Sequence, residues 1–184
     1  MKHLVIGGAR SGKSRYGEQW AEQQARSTGK QLFYIATAQA LDREMRARIE
    51  RHQYDRGPHW QLHEEALLLH EAIAELDAPQ HCLLIDCLTL WLSNCITSER
   101  WHELRTAFIE MLLAARCDIV MVGNEVGQGI VPLGELNRCF VDESGWLHQE
   151  LARHCEQVTL VSAGLPLTLK PSIIHQTIKP SYKP

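Results

Sequence analysis

The stretch Gly7-Gly-Ala-Arg-Ser-Gly-Lys-Ser14 matches the pattern GxxxxGK[ST] without a mismatch. It follows an apolar run at residues 3–6 and precedes an amphipathic stretch at residues 13–27, so it joins a predicted strand to a predicted helix. Glycines let such a loop turn its backbone N–H groups inward around phosphate oxygens, and the helix N-terminus adds a favourable field. The pattern in this context predicts a phosphate-binding loop in an α/β fold.

Short apolar runs alternate with amphipathic stretches along the chain, as strands and helices do in an α/β fold. The predicted strands are residues 3–6, 31–36, 60–63, 82–85, 118–122, 158–162 and 167–170. The predicted helices are residues 13–27, 42–54, 66–76, 88–94, 101–116 and 133–155, the last with a break near Gly145. Apolar residues on both faces of the stronger runs predict a mostly parallel sheet with helices on both faces.

The chain shows no internal repeat and no linker. Residues 1–170 are therefore predicted to form one domain, and residues 171–184, which contain three prolines, an extended tail. Its 184 residues are 45% hydrophobic and 22% charged, which is typical of a globular protein. The net charge of −3 argues against a general nucleic-acid surface.

The apolar run before the loop is too short for the core of a signal peptide, and no later run reaches membrane-spanning length. The six cysteines form no CxxC pair. They are predicted to be buried free thiols of a reducing compartment, since most of them lie in apolar runs. These features together predict a cytoplasmic protein.

A magnesium site beside the loop needs a carboxylate at the end of a nearby strand, and Asp86 follows the apolar run 82–85. We therefore expect Ser14 and Asp86 to bind Mg²⁺ through a hydroxyl and a carboxylate. The alternative is that Asp86 caps the following helix, a position that aspartate favours. Glu64 and Glu65 follow a shorter run, and either of them could face the same site.

A phosphate loop predicts a nucleotide but not a reaction, and three classes of protein remain. A GTP-dependent switch usually reads guanine with Asn-Lys-x-Asp after a strand; here the segment after residue 122 is Gly-Asn-Glu-Val-Gly, which disfavours this class. A small-molecule kinase needs cations over the phosphates, which Arg10, Arg48, Arg51 and Arg56 could supply. An enzyme with a covalent nucleotide intermediate needs a nucleophile near the α-phosphate.

Histidine suits this nucleophilic role because a neutral imidazole is available near pH 7 and attacks phosphorus. His52 lies in the stretch RARIERHQYDRGPHW, residues 46–60, among four arginines that could offset charge on a departing pyrophosphate. The chain has ten histidines, and His59 and His63 are nearly as suitable. The residues alone therefore leave the choice of nucleophile open.

Four segments, in their order and spacing, resemble one family. They are the phosphate loop, Tyr34-Ile-Ala-Thr-Ala-Gln39, Arg48-Ile-Glu-Arg-His-Gln53 and Gly123-Asn-Glu-Val-Gly-Gln-Gly-Ile-Val-Pro132. Over roughly residues 1–170 the chain resembles the bifunctional adenosylcobinamide kinase/adenosylcobinamide-phosphate guanylyltransferase family of cobalamin synthesis. The resemblance implies a RecA-like phosphate-loop NTPase fold and a homotrimer in which the nucleotide lies near a subunit boundary.

The resemblance also implies two reactions and their site residues. ATP or GTP phosphorylates adenosylcobinamide, and GMP from GTP then passes through a histidine to that phosphate, which gives adenosyl-GDP-cobinamide and pyrophosphate. The implied catalytic residues are His52, as the GMP acceptor, and Lys13. The implied nucleotide-binding residues are Gly7, Gly8, Ala9, Arg10, Ser11, Gly12, Lys13, Ser14, Thr37, Ala38, Gln39, Gln53, Tyr54, Asp55, Arg56, Glu64 and Asp86. The expected partners are Mg²⁺, the two nucleotides, the corrinoid and other copies of the chain, without nucleic acid or a membrane span.

Overall fold

The computed structural model describes residues 1–38, 59–130 and 133–171. The strands in these ranges are β1 (Lys2–Gly7), β2 (Gln31–Ala36), β3 (Trp60–Glu64), β4 (His81–Asp86), β5 (Asp118–Asn124), β6 (Gln157–Ser162) and β7 (Leu165–Lys170). The helices are α1 (Lys13–Thr28), α2 (Leu69–Leu76), α3 (Leu88–Thr97), α4 (Trp101–Ala114) and α5 (Glu135–His154). The predicted helix at 42–54 and residues 172–184 of the predicted tail lie outside the described residues.

The seven strands of the described residues form one sheet in the order β3-β2-β4-β5-β1-β6-β7. Neighbouring strands are parallel except β6 and β7, which are antiparallel. The loop strand β1 thus lies inside the sheet, and β5 separates it from β4. This arrangement confirms the predicted α/β class with a mostly parallel sheet.

Helices cover both faces of the sheet, as predicted. Side chains along each strand alternate between two buried clusters, because successive residues of a strand point to opposite faces. The first cluster lies under α1 and includes Val5, Ala21, Ala25, Leu84, Val120 and Val122. The second lies under the other four described helices and includes Leu83, Ile85, Ile73, Trp91, Phe108 and Leu147. We call these two sides the α1 face and the opposite face.

Three local expectations differ from the structure. The helix predicted to break near Gly145 is continuous as α5, since burial of Leu147 and Leu151 offsets the cost of about 1 kcal/mol for a helical glycine. The helix predicted from residue 66 begins at Leu69. Cys139 is exposed, whereas the other five cysteines are buried as predicted. Among helices of the described ranges, none combines the length and apolar composition needed to cross a membrane.

His3, in β1, is a fully buried histidine on the α1 face. Its Nε2 lies 2.9 Å from the Thr159 hydroxyl, and its ring contacts Trp20 at a centroid distance of 4.8 Å. Burial lowers the pKa of His3 from 6.5 to about 4. The folded protein therefore holds this imidazole neutral at pH values where the unfolded chain binds a proton.

His3 should make stability fall with acidification. Between pH 6.5 and about 4 the unfolded state binds the proton and the folded state does not, so the free energy of unfolding decreases as pH falls through this window. The difference between the two pKa values corresponds to about 3 kcal/mol. Urea unfolding at a series of pH values should give a shallower decrease for His3→Gln than for wild type. The exposed His102→Gln is the control, and wild-type-like pH dependence in His3→Gln would contradict the expectation.

Candidate functional site

The phosphate loop connects β1 to α1, as the sequence predicts. The Ser11 N–H donates to the Gly8 carbonyl at 3.2 Å, which turns the chain back toward the helix. Gly12 precedes α1 with φ of 94°, a left-handed conformation that glycine adopts without strain. The loop therefore has the tight backbone turn that phosphate binding at a helix N-terminus requires.

A neighbouring turn supports this loop. A Cβ atom at Gly7 would lie 2.4 Å from the Val161 carbonyl oxygen and 2.6 Å from Ser11 Oγ, so only glycine fits there. The Gly164 N–H, in the β6–β7 turn, donates to the Ser11 carbonyl at 2.8 Å. Adjacent to this contact, a cavity of about 400 Å³ is lined by the loop, Glu125 and Ser162. The loop is thus fixed against β6 and open on one side to a polar cavity.

Lys13 and Ser14 begin α1 at the mouth of the loop. Lys13 is 9% exposed, and its Nζ donates to the Gly8 carbonyl at 3.3 Å. This distance is long for a hydrogen bond of an ammonium group, so a phosphate oxygen would be the stronger partner. Ser11 Oγ, also in the loop, is buried without a partner among the described residues. The loop therefore presents a cation and hydroxyl groups to an anion.

Asp86 lies at the end of β4 on the face of the sheet where α1 begins. It is two residues beyond Leu84, which packs under α1, so its side chain points to the α1 face. One strand separates β4 from β1, which places the two strand ends about 10 Å apart. The helix-cap alternative is not borne out, because the N-cap of α3 is Cys87 and no side chain caps it.

The buried Cys87 thiol is next to Asp86 in the chain. Burial raises the pKa of Cys87 to about 11, the Asp86 carboxylate adds to this rise, and the Lys13 ammonium opposes it. Both charges thus act on the same thiol. A hydroxyl from Ser14 and one carboxylate fit Mg²⁺, which typically takes one or two carboxylates together with substrate phosphates.

Thr37 follows β2 and is fully buried. Its hydroxyl donates to the Cys87 carbonyl at 2.8 Å and accepts from the Cys87 N–H at 2.7 Å. The Asn94 side-chain amide donates to the carbonyls of Thr37 at 3.1 Å and Ala66 at 3.0 Å. The Thr37 side chain therefore ties the end of β2 to the end of β4, and the half-buried Ala38 follows it. Nucleotide contacts by Thr37 and Ala38 remain predictions.

Removal of the Thr37 hydroxyl should destabilise the site. Thr37→Val keeps the shape but leaves the buried Cys87 N–H without a partner, while the Cys87 carbonyl keeps its bond from the Trp91 N–H; this should cost about 1–3 kcal/mol of unfolding free energy. Thr37→Ser, which keeps the hydroxyl, is the matched control. Urea unfolding followed by tryptophan fluorescence measures both. Equal stability of the two variants would show that the hydroxyl bridge contributes nothing.

Glu64 and Glu65, at the end of β3, differ in their contacts. Glu65 Oε1 accepts the N–H groups of Leu67 at 2.7 Å and Leu68 at 2.8 Å, which explains why α2 begins only at Leu69. Glu64 is exposed, and its register partner Ala36 packs on the α1 face. Four strand spacings, about 19 Å, separate β3 from β1. Glu64 is thus the member of the pair available to a ligand that extends from the loop along the sheet edge.

The three candidate histidines lie in different parts of the chain. His59 lies at the N-terminal end of β3, whereas the loop follows the C-terminal end of the parallel strand β1. Its Nε2 lies 3.2 Å from Glu22 Oε1. His63 is paired in register with Ile35, which packs on the opposite face, so His63 points away from the α1 face. His52 lies outside the described residues. The other predicted site residues outside them are Gln39, Gln53, Tyr54, Asp55 and Arg56, together with the candidate cations Arg48 and Arg51.

Asn124 lies beside the phosphate loop in the sheet, a position that the sequence pattern does not indicate. It ends β5 opposite Gly7, and its backbone N–H donates to the Thr89 hydroxyl at 2.7 Å. Its Oδ1 is buried and has no hydrogen-bond partner among the described residues. The signal available in the sequence was a polar residue directly after the apolar run 119–122 and a glycine.

Comparison with known proteins gives one family. Its sequence model, described as cobinamide kinase / cobinamide phosphate guanyltransferase, matches residues 3–169. The bifunctional adenosylcobalamin biosynthesis protein CobP of Pseudomonas aeruginosa is 49% identical over 173 residues, which cover 92% of this chain and 98% of that protein. The proteins named CobU of Escherichia coli and Salmonella typhimurium are each 38% identical over 186 residues, with 92% of this chain and 100% of theirs covered.

Two solved structures can also be superposed on the chain. A KaiC-like protein from Pyrococcus horikoshii gives a TM-score of 0.44 at 15% identity, covering 86% of this chain and 69% of that one. The second structure, an ATPase domain, gives a TM-score of 0.49 at 11% identity, covering 86% of this chain and 68% of that one. The fold assignment rests on the strand order described above.

Proposed function

The chain belongs to the cobinamide kinase / cobinamide phosphate guanyltransferase family, and from this premise we propose that it has both activities. It phosphorylates adenosylcobinamide with ATP or GTP and then transfers GMP from GTP to the phosphate just formed. The observation that supports this best is the phosphate loop, with Lys13 and Asp86 on the same side of the sheet. Both reactions need a triphosphate held at one place.

Lys13 and the loop N–H groups hold the triphosphate, since oriented donors at a helix N-terminus favour anions. Ser14 and Asp86 would hold Mg²⁺, which when bound offsets negative charge on the phosphates. Glu64 is exposed at the end of β3, on the same face of the sheet as Asp86. A carboxylate there can accept the N–H groups of guanine, which supports Glu64 as a source of guanine preference.

His52 is proposed as the nucleophile of the second reaction. Its nitrogen attacks the α-phosphorus of GTP, a P–N bond forms, and pyrophosphate leaves with the electron pair of the broken P–O bond. The family resemblance is the basis of this assignment. The positions of the two alternatives support it, because neither is close to the loop on the α1 face. His59 lies at the N-terminal end of β3, and His63 points to the opposite face.

We also propose one domain over residues 1–170, a homotrimer and a cytoplasmic location. The surface after β5 has strongly exposed apolar side chains, Ile130 at 99% and Leu133 at 93%, and the edge strand β7 exposes Leu165 at 72%. Leu167, two residues after Leu165 and 59% exposed, lies on the same face of β7. An exposed apolar stripe on an edge strand is typical of contacts between chains, which supports the trimer. Five buried free thiols support a reducing compartment.

Two experiments with labelled nucleotides and Mg²⁺ test the proposal on the wild-type protein. Adenosylcobinamide and ATP labelled in the γ-phosphate should give labelled adenosylcobinamide phosphate. GTP labelled in the α-phosphate should label the protein in an acid-labile, base-stable form, and adenosylcobinamide phosphate should remove that label. Transfer of the γ label without any protein label would instead identify a small-molecule kinase that lacks guanylyl transfer.

A further inference from the structure

Asn124 occupies the centre of the proposed site. Its strand, β5, lies between β1, which leads into the loop, and β4, which ends at Asp86. Asn124 is opposite Gly7 in the register of β1, and two residues before it Val122 is opposite Asp86. Its side chain therefore lies between the two elements that hold the triphosphate.

The side chain of Asn124 points to the same face as these elements. Val120 and Val122 both pack under α1, and a residue two positions further along the strand points the same way. Asp86 points to this α1 face as well, and Lys13 begins the helix that covers it. Asn124, Asp86 and Lys13 thus lie on one face of the sheet, near the C-terminal ends of neighbouring strands.

The hydrogen bonding of Asn124 leaves its side chain free for a ligand. The backbone N–H is already bound by the Thr89 hydroxyl at 2.7 Å. The amide oxygen is buried without a partner among the described residues. A buried acceptor without a partner is costly. A half-turn of the amide would exchange its oxygen and nitrogen, so that N–H donors at this position could bind an acceptor on a ligand.

We propose that the Asn124 amide contacts the γ-phosphoryl group during the kinase reaction. The loop and Lys13 would take the β- and γ-phosphates, and β5, which ends in Asn124, is the strand between the loop and Asp86. Phosphoryl oxygens are acceptors, and a half-turn of the Asn124 side chain presents its two N–H donors to them. The corrinoid hydroxyl oxygen forms a bond to the γ-phosphorus, the bond to the β–γ bridging oxygen breaks with its electron pair, and the hydroxyl proton passes to water.

This assignment rests on the proposed function and predicts an unequal effect on its two reactions. In γ-phosphoryl transfer, charge changes on the atoms that Asn124 contacts. In guanylyl transfer the reacting atom is the α-phosphorus, two phosphates away. Loss of one donor aimed at developing charge typically lowers kcat by about 10²–10³-fold, so the kinase reaction should fall by this factor.

Asn124→Asp is the decisive variant, because it keeps the shape and the backbone bond to Thr89 but replaces a donor with a carboxylate that repels phosphate. Its kinase kcat should fall by at least about 10²-fold, and Asn124→Ala should also lose about 10²-fold. Protein labelling from α-labelled GTP should show a raised KM for GTP, because the carboxylate also repels the bound triphosphate, but at saturating GTP its rate should fall at least about tenfold less than the kinase kcat. The Asn137→Asp variant adds the same charge at an exposed residue of α5 and is the control for net charge.

Two results would overturn the assignment. Kinase activity near the wild-type level in Asn124→Asp would show that the amide donates nothing to the γ-phosphoryl group. Equal losses in both reactions, with a lowered urea midpoint, would indicate a structural role. The wild-type enzyme, assayed in parallel, separates these outcomes from failure of the proposed function, since that failure would remove one reaction from wild type as well.

Discussion

The Lys13→Ala variant is expected to lose both reactions, each by about 10³-fold or more. The ammonium is the charge placed inside the phosphate loop, 9% exposed and held by one long hydrogen bond to the Gly8 carbonyl. Both reactions begin from a bound triphosphate, so removal of this charge weakens both. Initial rates of cobinamide phosphorylation and of protein labelling from α-labelled GTP measure the effect.

The fold should survive this substitution. Alanine suits the first turn of a helix, and the lost contact is a single 3.3 Å hydrogen bond. Arg26→Ala is the matched control, because it removes one positive charge from the last turn of the same helix, where the side chain is 79% exposed. Retention of either activity in Lys13→Ala above about a tenth of wild type would contradict the assignment of Lys13.

The phosphate loop and Asp86 could be predicted from the sequence because their determinants are local. The loop needs an apolar strand, glycines at fixed places and a helix, all within the first 27 residues, and Gly12 takes the left-handed conformation that the pattern implies. Asp86 needs only an apolar strand that ends in an acid. Its direction follows from Leu84, two residues earlier, which packs under α1.

The roles of other candidates depend on residues distant in sequence, so spacing could not assign them. The partner of the Thr37 hydroxyl is Cys87, 50 residues later. The exclusion of His63 required knowing that it pairs with Ile35 and on which face Ile35 packs. Asn124 lies two residues beyond the predicted strand 118–122. Only the structure shows that it is opposite Gly7 in register and that its amide oxygen is buried without a partner among the described residues.

The His52→Ala variant is expected to separate the two reactions. Protein labelling from α-labelled GTP should disappear, because alanine has no atom that can form a bond to phosphorus. Guanylyl transfer to adenosylcobinamide phosphate should fall by several orders of magnitude, while phosphorylation of adenosylcobinamide should remain within about threefold of wild type. Mass spectrometry of the labelled wild-type protein should find the mass of GMP on the peptide that contains residue 52.

The control for this prediction is His59→Ala. From the sequence alone, His59 is nearly as suitable a nucleophile as His52. In the structure it lies beside Glu22 at the N-terminal end of β3, whereas the loop follows the C-terminal end of β1. His59→Ala should therefore keep both reactions. Label retained in His52→Ala and lost in His59→Ala would reverse the assignment. Loss of the kinase reaction together with the label in His52→Ala would mean that His52 holds the triphosphate in both reactions, because a residue that only accepts GMP takes no part in γ-phosphoryl transfer.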